Sequence, residues 1–173
     1  VVASLLAAAA GLPKDTCEEL WVAGRLHDIG AISMPPHVLE KPTPLSTDEW
    51  ASTRRHALLS FEILSALDGM EEIALWTAQH HERLNGSGYP FALVAQDIPL
   101  ESRILTVADI FSSLVEDHAY RDGCDVHEAL AALTLSARRG EIDTALVDLV
   151  ATHADDLAFA RRDATVSCDA PSY

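Results

Sequence analysis

The sequence predicts an all-α domain, a compact bundle of six or seven helices. Three observations carry this expectation. No segment alternates apolar and polar residues with period two for long enough to form a strand. Asp15/Glu18, Ser46/Glu49 and Asp125/Glu128 each have the spacing of a capping box, in which a small polar side chain and a glutamate satisfy the first amides of a helix. Glycine and proline gather between the apolar-periodic segments and interrupt them.

Val1 to Ala10 reads as the last turns of a helix stopped by Gly11 and Pro13, so more chain is expected upstream. Asp15 opens a helix toward His27, and Gly30 ends it. Pro35, Pro36, Pro42 and Pro44 forbid helix over 31–45 and impose an extended loop. Ser46 starts a long helix to about Leu67 with Trp50, Ala57, Phe61 and Leu64 on one face; Asp68-Gly69 breaks it. Glu71 to about Glu82 is helical, with Ile73, Trp76 and His80 on one stripe. Asn85 to Pro90 is a loop on composition. Pro99 is expected as the first residue of a helix through Ile104, Ala108 and Phe111. Asp125 opens another helix, and a last one runs from about Asp143 to Ala160 before a polar tail, 161–173. Trp21, Trp50 and Trp76 read as core residues, and His37, His118, His127 and His153 as surface histidines.

The 173 residues suit one domain, and their 49% hydrophobic and 23% charged content is that of a soluble globular protein. The net charge of −15 speaks against duplex DNA or RNA as a partner, because such binding relies on cations that neutralise phosphates. A small anionic ligand remains compatible where cations sit in the site. No apolar run approaches the ~20 residues that span a bilayer. Cys17, Cys124 and Cys168 form no Cys-x-x-Cys pair, which fits a reducing, cytoplasmic setting.

Six residues carry candidate metal chemistry: His27, Asp28, His56, His80, His81 and Asp109. Imidazole beside carboxylate suits zinc, iron or manganese. Asp28 can bridge two ions, since a carboxylate has two oxygens and an imidazole one usable nitrogen. Asp109 lies among Ile104, Val107, Ala108 and Phe111, where an unpaired carboxylate would be costly to desolvate.

His27-Asp28, His56, His80-His81 and Asp109 follow the order and spacing of the HD superfamily of metal-dependent phosphohydrolases. His80-His81-Glu82-Arg83, then Asn85-Gly86-Ser87-Gly88-Tyr89-Pro90, Ile98-Pro99-Leu100, Arg103-Ile104 and Ala108-Asp109 closely resemble the HD-GYP family, bacterial hydrolases of cyclic di-GMP. The resemblance implies an HD-type bundle over 1–160 that binds two divalent transition-metal ions (Fe, Mn or Zn). His27, Asp28, His56, His80, His81 and Asp109 would be ligands, with Asp28 also catalytic. It implies cyclic di-GMP, or a related small nucleotide, as substrate. Gly88, Tyr89, Pro90 and Arg121 would lie on the substrate side, and the Gly-Tyr-Pro loop would also be a contact surface for a signalling protein. A homodimer is compatible with it. The first metal histidine of the family falls upstream of Val1.

Some positions depart from the family pattern. Ala31 stands where the family has a lysine, His118-Ala119-Tyr120 where it has Arg-Pro-Tyr with its phosphate-binding arginine, Ser112 where it has an aspartate, and Asn85 in place of an aspartate before glycine. Two further readings therefore stand beside the phosphodiesterase: a degenerate regulatory or binding module, and an HD hydrolase of other nucleotides. The (p)ppGpp hydrolases carry Glu-Asp shortly after the HD pair, and no such pair follows Asp28.

Overall fold

The computed structural model describes residues 1–35, 38, 41, 43, 45–116 and 123–166, with side chains to residue 160. Among them are eight α-helices: α1 (Val2–Ala9), α2 (Lys14–Leu26), α3 (Thr47–Ser65), α4 (Glu71–Gln79), α5 (Leu100–Val115), α6 (Val126–Arg138), α7 (Thr144–Thr152) and α8 (Ala154–Val166). Short 3-10 turns at Ile29–Ser33 and Ala95–Asp97 complete the regular structure. The all-α class stands. The count exceeds the expected six or seven because the last expected helix is two: the backbone leaves helical geometry at His153, with φ −117° and ψ 17°. No helix among the described residues is long and apolar enough to cross a membrane.

Local chemistry sets most boundaries. Ser46/Glu49 and Asp125/Glu128 form full capping boxes. Asp15/Glu18 does not. Pro13, extended at ψ 152°, takes the N-cap position, and α2 starts at Lys14 with no side-chain cap. Pro99 likewise stands just outside α5, as its N-cap rather than its first residue. α3 ends at Ser65, short of Leu67, and Gly69 supplies the positive φ (82°) that turns the chain into α4.

α5 runs through the centre. Its Ile104, Leu105, Val107 and Phe111 are almost fully buried against Leu6 of α1, Leu20 and Ala23 of α2, Leu133 of α6 and Val150 of α7. Each fully buried Leu or Phe contributes about 1.5–3 kcal/mol. Only one of the three tryptophans belongs to this core. Trp76 is 3% exposed, whereas Trp21 and Trp50 are 45% and 50% exposed. Each exposed indole lies near an arginine of its own helix four residues on, Arg25 and Arg54 respectively. Periodicity groups them with the core, but the stripes that α2 and α3 bury lie on other faces: Cys17, Leu20 and Ala23 on α2, and His56, Ala57, Ser60 and Leu64 on α3.

Candidate metal centre

The site gathers at helix ends and one mid-helix position. His27 is the C-cap residue of α2 and His80 that of α4, with Asp28 and His81 one residue further on. His56 lies on the buried face of α3, and Asp109 inside α5. Helix C-termini leave backbone carbonyls without intrahelical donors. Both capping histidines exploit this: His27 Nδ1 bonds Gly24 O at 3.1 Å and His80 Nδ1 bonds Thr77 O at 2.5 Å. His56 Nδ1 does the same with Thr53 O at 2.6 Å. A carbonyl only accepts, so Nδ1 donates in all three. That fixes the tautomer and leaves Nε2 as a lone pair in the neutral ring.

The three Nε2 atoms converge on Asp28. Its Oδ1 lies 3.2 Å from His56 Nε2 and 3.5 Å from His80 Nε2, and its Oδ2 lies 3.4 Å from His27 Nε2. His27 Nε2 is also 3.3 Å from Asp109 Oδ1. His81 Nε2 faces His56 Nε2 at 3.1 Å. The ligand-type atoms fall into two overlapping groups, Asp28-His56-His80-His81 and His27-His80-Asp109, each within 4.8 Å. All six expected residues are thus together, and the two oxygens of Asp28 point to different groups.

Two closely facing imidazole nitrogens and a carboxylate oxygen repel unless positive charge lies between them. The His80 ring is buried, and its Nε2 is a buried polar atom with no hydrogen-bond partner. Such an orphan is costly unless a cation completes it. The donor set, nitrogen plus carboxylate, fits a borderline divalent metal.

Without metal, protons supply part of the charge. Burial opposes charging His27, but its hydrogen bond to Asp109 and the Asp28 carboxylate outweigh this and raise it to about 9. His56 is raised too, burial being overcome by its bond to Asp28. Burial, reinforced by the adjoining His80, pushes His81 down to about 2. Asp28 and Asp109 are both held below the usual carboxylate range; burial resists, and the adjoining imidazoles prevail.

The turn carrying Asp28 is fastened to α3. Gly30 N donates to Ser60 Oγ at 3.0 Å, and Ser60 Oγ donates to His27 O at 2.7 Å. A Cβ on Gly30 would sit 2.2 Å from His56 O and 2.6 Å from Ser60 N, so only glycine fits. On the other side, the buried Glu82 carboxylate accepts from Phe91 N at 2.7 Å and Leu93 N at 2.9 Å, holding the Gly-Tyr-Pro loop. Gly88 lies so close to this segment that a Cβ would come within 2.3 Å of Arg83 N. The Tyr89 ring lies 4.7 Å from that of His81, and burial raises its phenol to about 12. Ser60 and Glu82 are positioning residues; Glu82 is visible in the sequence only as part of the motif after the histidine pair, and a serine on a helix carries no local sign of a partner 30 residues away. Arg121, with His118 and Ala119, lies outside the described residues. Ala31, in the turn after Asp28, brings no charge to the site.

A family model described as HD domain matches residues 1–146, and the chain belongs to the HD-domain family. Within it, the chain carries the HD-GYP signature. It is 40% identical over 143 residues to the cyclic di-GMP phosphodiesterase response regulator RpfG of Xanthomonas campestris pv. campestris, a match covering 82% of this chain and 37% of that protein. It is 33% identical over 145 residues to the 3'3'-cGAMP-specific phosphodiesterase 1 of Vibrio cholerae, covering 84% and 34%. The chain thus spans about a third of the length of these relatives. Among solved structures, Bd1817, an HDG"Y"P protein from Bdellovibrio bacteriovorus, matches with a TM-score of 0.68 at 19% identity, over 87% of this chain and 49% of that one. This last likeness concerns the fold.

Proposed function

We propose that this chain hydrolyses a phosphodiester bond of a cyclic dinucleotide, cyclic di-GMP or a 3'3'-linked relative. The observation that carries the reading is Asp28: one oxygen faces His56 and His80, the other faces His27. In this reading the two groups, which have His80 in common, would hold two divalent ions, iron, manganese or zinc, and Asp28, a member of the first group, would reach the second through the oxygen that faces His27. His56 and His81 would serve one and His27 with Asp109 the other, with His80 within reach of both. When bound, the ions supply Lewis acidity toward the phosphoryl oxygens and make water acidic enough to furnish a nucleophile near neutral pH. The chain's own residues do the rest. The carbonyls of Gly24, Thr53 and Thr77 hold the imidazoles in one tautomer and orientation. Asp28 would orient the attacking water through the ions it holds, and Tyr89 walls the site beside His81. Arg121 remains a proposed phosphate contact.

The test is metal content and turnover together. Elemental analysis of protein loaded with manganese or iron is expected to give close to two ions per chain, with linearisation of cyclic di-GMP or 3'3'-cGAMP. Protein that takes up no iron, manganese or zinc refutes the reading. One observation favours a regulatory module instead: Ala31 removes a cation beside the HD turn. Two bound ions with no turnover of either dinucleotide would select that alternative.

A further inference from the structure

A cleft of about 600 Å³ opens on the outer flank of α3, within the usual range for small-molecule sites. Trp50, Arg54 and Arg55 of α3 line it on one side, Tyr89 and Pro90 of the loop on the other. Tyr89 is common to the cleft and the metal centre, since its ring also lies tilted beside that of His81. Arg54 bridges the two walls. Its guanidinium carbon is 5.9 Å from the Trp50 ring centre and 5.0 Å from that of Tyr89.

The charge here opposes that of the whole chain. Lys and Arg number 12 against 27 Asp and Glu, yet among the described residues the cleft lining holds two arginines and no carboxylate. Among the described residues neither arginine forms an ion pair. Trp50 is half exposed, although an indole of this size is ordinarily well covered. An exposed indole, a phenol ring and a planar guanidinium suit a flat, electron-rich ring system carrying phosphate. Aromatic faces and guanidinium planes stack on bases, and arginine also bonds phosphate and the O6/N7 edge of guanine.

We propose that this cleft is a purine-nucleotide subsite: Trp50 and Arg54 stack on one base of the dinucleotide, and Arg55 faces its phosphate. The substrate class rests on the phosphodiesterase reading above; the subsite itself does not depend on turnover. Its cations stand on α3, apart from the HD turn that carries Ala31.

The experiment titrates the metal-loaded protein with cyclic di-GMP and with 3'3'-cGAMP, following tryptophan fluorescence and calorimetric affinity, alongside steady-state turnover. Trp50→Ala and Arg54→Ala are expected to weaken binding about tenfold or more, the size of one stacked base. Trp50→Phe, which keeps an aromatic face, is expected to hold affinity within about threefold and lose the ligand-induced fluorescence change. Unchanged affinity in both alanine variants overturns the proposal, as does a fluorescence change that survives in Trp50→Phe. So does failure of the wild type to bind either dinucleotide. Manganese uptake reports on folding, and if Trp50→Ala fails to take it up, Arg54→Ala decides. Binding that depends on Trp50 without turnover would sink the hydrolase reading and leave the subsite standing. Turnover with an unchanged KM in the variants would do the reverse.

Discussion

Replacing Gly30 by alanine tests whether the HD turn must be clamped to α3 for the metal centre to exist. The ideal Cβ would meet His56 O at 2.2 Å, Ser60 N at 2.6 Å and Leu59 Cβ at 2.9 Å. Two of these are backbone atoms of a helix and cannot swing aside. Ordinary contact begins near 3.4 Å, so the turn must retreat by 3.4 minus 2.2, about 1 Å. Overpacking of this kind costs about 1–3 kcal/mol. The retreat also stretches the Gly30–Ser60 and Ser60–His27 hydrogen bonds, each worth about 1 kcal/mol when buried. Together the loss is about 3–5 kcal/mol, a large part of the ~5–15 kcal/mol that keeps a domain folded. Asp28 moves with the turn, away from His56 and His80. Metal affinity should therefore fall about 10–100-fold, the usual cost of losing a positioning contact. Urea denaturation of metal-free protein gives the first quantity, and manganese titration the second. Ser60→Ala, which removes the hydroxyl without a clash, should lose about 1–3 kcal/mol and part of the affinity. A Gly30→Ala protein with wild-type stability and manganese affinity would show that the clamp does not position the site.

Three further outcomes are expected. Asp28→Ala should reduce bound metal at both groups toward zero, because its two oxygens face different groups; full metal content by elemental analysis would refute the bridging role. Ala31→Lys should raise kcat for cyclic dinucleotides with little change in KM. One charge-stabilising donor is worth about 10²–10³ in rate, and a wild type already fast and unaffected by the lysine would refute it. In metal-free protein, stability should peak near pH 6.5, the ordinary histidine value. His81, lowered to about 2, contributes fully above 6.5 and loses its contribution as pH falls. His27, raised to about 9, contributes fully below 6.5 and loses its contribution as pH rises through 9. The lowered Asp28 and Asp109 add to the loss at acid pH. A urea midpoint that stays level from pH 5 to 9 would contradict these assignments.

Features governed by neighbours in sequence were readable in advance. Ser46 and Asp125 cap their helices as their spacing implies. Asp15 fails because a rigid proline two residues earlier settles the start first. Four of the six ligand-type residues were visible as two improbable adjacent pairs, Asp109 as a carboxylate in an apolar run and His56 only through the family resemblance, and His80 has the buried setting its stripe suggested. The supports of the site were not visible. Ser60 reaches across to residues 30 and 33 positions away, and Glu82 bonds amides that follow a loop. One signal was available and local: His27 and His80 each fall where a helix ends, where a ring nitrogen finds a free carbonyl. Trp50 misled because periodicity measures apolarity and cannot tell a core from a cleft wall.

The two halves of the site obey opposite physical demands. The metal groups bring together like partial charges, so they need a scaffold that holds acceptors against their mutual repulsion. That explains the investment in fixed contacts: three imidazoles tied to carbonyls, a turn locked by Ser60 where no side chain fits, and a loop held by a buried carboxylate. The cleft beside it is built in the other way. Trp50, Arg54 and Arg55 are exposed on one helix face, and Arg54 contacts rings on both walls without an ion pair among the described residues. Side chains in that condition can separate to admit a flat ring at the cost of two cation–π contacts, each about 0.5–1 kcal/mol when exposed. A stacked base returns about 1–3 kcal/mol. The exchange is near balance for a base on a single ring, gains where the base stacks on both Trp50 and Arg54, and is less favourable for an aliphatic side chain, which offers no π face. Tyr89 joins the two halves. Its ring is held against His81 on the rigid side and meets Arg54 on the adaptable side, so a nucleotide seated on Trp50 and Arg54 lies against the wall of the metal groups.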